Sequence, residues 1–137
     1  MKGIKWYDKI KNSLAREWFR LASEDFYYAK DTFNETENYR MICFICHQVV
    51  ERYLKGYLQL QQNRVPKIHN LSELLKIAGK INKDFLDFFE TCELFNDYYI
   101  NSRYPVFLGE IYKKSIAKEA IGLTEDIVEF MKKNYLK

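Results

Sequence analysis

Glycine and proline are scarce in this 137-residue chain, five and two respectively. That scarcity excludes collagen-like repeats and turn-rich, low-complexity architectures. Cysteine is sparse too: three residues, an odd number, read as reduced thiols rather than a disulfide scaffold. No apolar run approaches the ~18 residues that a membrane span needs. The longest, Met41 to His47, is short and ends in a polar group. Met1 to Asn12 carries charges but no apolar segment of the secretory kind, so a cytoplasmic chain without a membrane attachment is expected. Charge of one sign is lacking as well. Twenty-two basic residues against 19 acidic leave a formal charge of only +3, mixed along the chain. A nucleic-acid binder usually gathers its cations on one face, so composition alone names no such partner.

What the chain has is apolar and aromatic residues, 47% and 17% of the total, and they recur at helical spacing. Leu14, Trp18, Leu21, Ala22, Phe26, Ala29 and Phe33 mark a helix from Ser13 to about Asn34, with Asp25 as a polar intruder and Asn12 or Ser13 as its cap. A second helix is predicted from Tyr39 to Gln62, apolar all round in its first half and amphipathic in its second. Pro66 ends that pattern in a connection running from Arg64 to His69. Asn70 with Glu73 resembles a capping box for a short helix through Leu71, Leu74, Leu75 and Ala78. Asn82 is expected to cap a fourth helix carrying Phe85 to Tyr99, and Pro105 places a loop over Asn101 to Gly109. A last helix is predicted from about Glu110 to Tyr135. No strand-like alternation competes. Four long helices and one short one, closely connected, define an all-α, antiparallel up-and-down helical bundle in a single domain over residues 1–137.

Four short motifs, in order on these elements, resemble one family. Trp18-Phe19-Arg20-Leu21-Ala22-Ser23-Glu24-Asp25 is similar to the first helix of small prokaryotic HEPN domains. The stretch from Cys43 to Leu58, with His47-Gln48 followed by Glu51-Arg52 and Lys55, is similar to that family's second helix. His69-Asn70-Leu71 resembles its entry to the third helix, and Arg103-Tyr104-Pro105 its Arg-Tyr-Pro loop. The resemblance runs from about Ala15 to Met131. It implies a homodimer of the kind often encoded beside a minimal nucleotidyltransferase, with the pair forming a toxin–antitoxin module. The HEPN member of such a pair is either a ribonuclease or a nucleotide-binding subunit. This chain has no nucleotidyltransferase signature of its own and would be the partner alone.

Family members that cleave RNA without a metal use an Arg followed four to six residues later by His. Histidine moves a proton during attack by the 2′-hydroxyl, and arginine stabilises the developing phosphorane charge. Arg40 and His47 have six residues between them and would share a helix face about 10.5 Å apart along the axis. However, the family's motif belongs to a later helix, and Met41 through Cys46 are all apolar. Near the expected place stand Asn96, Asp97 and Arg103, but no His follows Arg103 at the required spacing. This degenerate Arg-x6-His arrangement points to a member that is not catalytic by itself.

His47, Glu51 and Lys55 form an i, i+4, i+8 stripe. Together with Arg103 they are the candidate nucleotide-binding residues, with Lys55 near a phosphate. The competing reading is a hydrogen-bonded stripe buried between helices or protomers. His69 is equally open: it lines the cleft or helps Asn70 begin the third helix. Cys43-Phe44-Ile45-Cys46-His47 matches a haem-attachment string, and Cys-x-x-Cys suggests zinc. Mid-helix among Phe and Ile, these thiols read instead as small buried hydrophobes, and no metal or cofactor is expected. The tyrosines, Tyr27, Tyr28, Tyr39, Tyr98, Tyr99, Tyr104 and Tyr112, suit a protein interface better than a base-stacking platform. A purely structural dimeric interaction module is therefore a third reading, and RNA is a partner only under the ribonuclease one.

Overall fold

The computed structural model describes residues 3–101 and 112–137, and among them the architecture is all-α with no strand. The described residues form five α-helices: α1 (Ser13–Phe33), α2 (Tyr39–Gln62), α3 (Leu71–Ile81), α4 (Phe89–Asn101) and α5 (Lys114–Asn134). Helix α2 is the central element and packs against the other four. Ile42, Cys43, Cys46, Val49, Val50, Tyr53, Leu54, Tyr57 and Leu58 are buried, whereas Met41 is exposed and Phe44 and Ile45 are half-buried, so the first half is covered on most sides and not all round. Burying each such side chain contributes roughly 1.5–3 kcal/mol of transfer free energy.

The helix starts follow side-chain chemistry. Asn12 Oδ1 accepts from the Ala15 N–H at 3.1 Å, Asn38 Oδ1 from Met41 at 3.2 Å, and Asn70 Oδ1 from Glu73 at 3.0 Å. Each satisfies a donor that the first helical turn leaves unpaired. Helix α2 stops at Asn63, whose left-handed backbone (φ 52°) suits an asparagine.

Three boundaries differ from the periodicity. Trp6–Lys9 form a 3-10 turn, which the sequence pattern leaves unassigned. Trp6 is held there by Phe19 and Tyr135, with ring centroids 5.1 and 5.0 Å away. Asn82 begins a 3-10 helix, Lys83–Phe88, and α4 starts only at Phe89. The tighter winding turns Phe85 inward, 4.4 Å from the Tyr57 ring and 4.9 Å from that of Phe130. Finally, α5 begins at Lys114 rather than near Glu110. Tyr112 is buried off the helix, its hydroxyl donating to the Tyr98 carbonyl at 3.5 Å, and Lys113 is extended.

Helices α1 and α2 meet closely at Gly56. A Cβ there would lie 2.8 Å from Phe19 Cε1 and 3.1 Å from Trp18 Cβ, so the absent side chain sets the approach. Nearby, Asp25, the polar intruder of α1, pairs with Arg52 of α2.

Candidate functional site

Glu51 is the hub of a polar cluster on α2. Its Oε2 accepts from Lys55 Nζ one turn on, at 2.9 Å, and from His69 Nδ1 of the following connection, also at 2.9 Å. Its Oε1 lies 3.8 Å from Nδ1 of His47, one turn back. Glu51 thus joins Lys55 to the His69 ring, and His47 enters the group through the His69 carbonyl.

His47 is fully buried. Its Nε2 lies 3.1 Å from the His69 carbonyl, an acceptor, so Nε2 carries the hydrogen and donates. Nδ1 is then a bare lone pair, buried and without a hydrogen-bond partner. Burial pushes the imidazole down to about 4, against the opposing pull of Glu51. His69 is the reverse case, with its side chain 60% exposed. Its Nδ1–H is given to the carboxylate.

Tyr99 of α4 stacks on both imidazoles, with centroids 4.8 Å from His47 and 5.5 Å from His69, and on Phe44 at 6.2 Å. Beside this aromatic group lies a pocket of about 260 Å³ lined by Phe44, Gln48, Glu51, Arg52, His69 and Tyr99. Arg52 reaches it while pairing with Asp25, whose carboxyl is raised because burial outweighs the guanidinium's pull. Across His69 lies a second pocket of about 470 Å³, which Lys55 also lines.

The structure therefore brings His47, Glu51 and Lys55 together and adds His69, but it redistributes their roles. Lys55 is almost wholly buried and spends its ammonium on Glu51. His47 is fully buried and stacks on Tyr99, and Arg40 stands two turns before it on the same helix. Arg103, Tyr104 and Pro105 lie outside the described residues. Asn96, noted near the expected nuclease position, is structural. It accepts from the Leu71 N–H at 2.8 Å and donates to Ser72 Oγ at 2.9 Å, fastening α4 to the start of α3.

Phe44 and Tyr99 were not legible as site residues, although Arg52 and Gln48 flank the predicted stripe. The signal available for Arg52 was Asp25, a carboxylate on an apolar stripe that needs a cation opposite. Cys43, Cys46 and Cys92 are buried free thiols. No cluster of metal-ligating side chains occurs among the described residues, and no described helix is long and apolar enough to cross a membrane.

An all-α bundle with a carboxylate–imidazole cluster on its central helix is the class that fold and site define. The HEPN domain family model matches residues 15–135, and the chain belongs to that family. No curated protein and no solved structure matches it.

Proposed function

We propose that this chain is a nucleotide-binding HEPN subunit, not catalytic by itself, that works as a homodimer with a minimal nucleotidyltransferase in a toxin–antitoxin pair. The observation that carries the binding half is the pocket beside Tyr99. It combines flat rings, Phe44 and His69, with an amide, Gln48, and a guanidinium, Arg52, in one concavity. Rings offer a face for a base, Gln48 offers a donor and an acceptor for its edge, and Arg52 offers a phosphate partner. The phosphate role thereby passes from Lys55 to Arg52. The partnership and the dimer rest on family membership, and the exposed Tyr27 and Tyr28 suit a protein contact.

Thermal melting against a panel of nucleotides tests the reading. A ligand that binds only the folded state at 100 times its Kd adds about 2.7 kcal/mol of stability. The expected result is a raised Tm with at least one nucleotide, diminished in Arg52→Ala and Gln48→Ala. No shift with any nucleotide rejects the reading and favours the structural interaction module.

A further inference from the structure

The second pocket, on the far side of His69, has a different chemistry. Its walls are apolar: Leu14 and Trp18 from α1, and Val65 and Pro66 from the connection after α2. Its cations are Lys55 and Lys67, and no carboxylate lines it. Leu14 is 54% exposed, an apolar side chain left facing solvent at the pocket's edge. Lys55 Nζ lies 5.7 Å from the Trp18 ring centroid, so the cation sits against the apolar wall.

We propose that this pocket binds an amphipathic carboxylate, a small monoanion with an apolar body. The body covers Leu14, Trp18, Val65 and Pro66, and the carboxylate faces Lys55 and Lys67. Charge selects a monoanion. Glu51 balances Lys55, so Lys67 supplies the positive excess. Leu14, Val65 and Pro66 give the body an aliphatic surface, and Gln59 is the lining's one amide. The proposal is independent of nucleotide binding on the other side of His69.

The probe is octanoate, used below its micelle concentration, with acetate and 1-octanol as controls for the head and the body. The readout is the indole N–H resonance of the folded, isotope-labelled chain. It has two tryptophans, and Trp18→Phe identifies which signal is Trp18. Octanoate is expected to move that signal saturably, at least ten-fold more tightly than 1-octanol, while acetate at the same concentration leaves it in place. Leu14→Glu, at an exposed position, and Lys67→Ala, on the surface, should each weaken octanoate about ten-fold or more with the helical circular dichroism unchanged. An unmoved Trp18 signal overturns the proposal. So does equal binding of octanol, or octanoate binding that both substitutions leave intact.

Discussion

The carbonyl of His69 accepts from the buried Nε2 of His47 at 3.1 Å, while the His69 ring gives its Nδ1–H to Glu51 at 2.9 Å. One residue of a connecting segment is therefore fastened twice to the central helix, through its backbone and through its side chain. The two bonds use opposite ends of the segment's residue, and they leave one imidazole buried and the other exposed.

His47 makes stability depend on pH in a defined window. In the folded chain it titrates near 4, against an ordinary value of 6.5. Between those values the unfolded chain binds more protons than the folded one, so stability falls as pH falls from about 6.5 to about 4. The full contribution is present above that window and amounts to at most about 3 kcal/mol, at 1.36 kcal/mol per pH unit of displacement. Urea unfolding at a series of pH values should show this slope, and His47→Gln should flatten it. A profile that stays level in the wild type contradicts the buried neutral imidazole.

Glu51→Gln strands the buried ammonium of Lys55. Breaking a buried pair from one side costs about 3 kcal/mol, because the remaining charge loses its compensation. Lys55→Met removes that charge and leaves the carboxylate with His69, at a smaller cost. Chemical denaturation of both variants should give this order. Equal losses would mean that Glu51 is not the hub.

Asn96→Ala should destabilise the chain by about 1–3 kcal/mol, since it leaves the Leu71 N–H without its side-chain acceptor. Hydrogen exchange at the start of α3 should quicken in the same variant. Unchanged protection there would sever Asn96 from the capping of α3.

The three thiols should resist labelling until the chain opens. Burial pushes Cys43 and Cys92 up to about 12 and Cys46 to about 11, so little thiolate exists near neutrality. An aromatic disulfide reagent should react slowly with native protein and count three thiols at once in guanidinium. Rapid labelling of the native chain would place at least one thiol at the surface.

Much of the fold was legible because the helix signals were redundant. Helix α2 is bounded by Asn38 and Asn63 and is apolar or amphipathic over its whole length, so its limits follow from the sequence. The turn Lys83–Phe88 was not legible, since six residues do not separate a three-residue from a 3.6-residue period. The site divides the same way. The spacing of His47, Glu51 and Lys55 puts them on one face, which α2 alone determines. That His69 joins Glu51 depends on a segment arriving from 18 residues beyond it, which no local pattern encodes. Phe44 and Tyr99 meet only because α4 packs on α2.

Gly56 gives that packing a further meaning. Where α1 crosses it, a methyl group would collide with the Phe19 ring and crowd Trp18 Cβ. The indole that walls the second pocket is therefore positioned by a hydrogen atom on the opposite helix. Gly56→Ala would act as a wedge as well as a defect in packing. Levering α1 away at this fulcrum would swing Leu14 and Trp18 relative to Val65 and Pro66, altering the aperture of the pocket from behind its own wall.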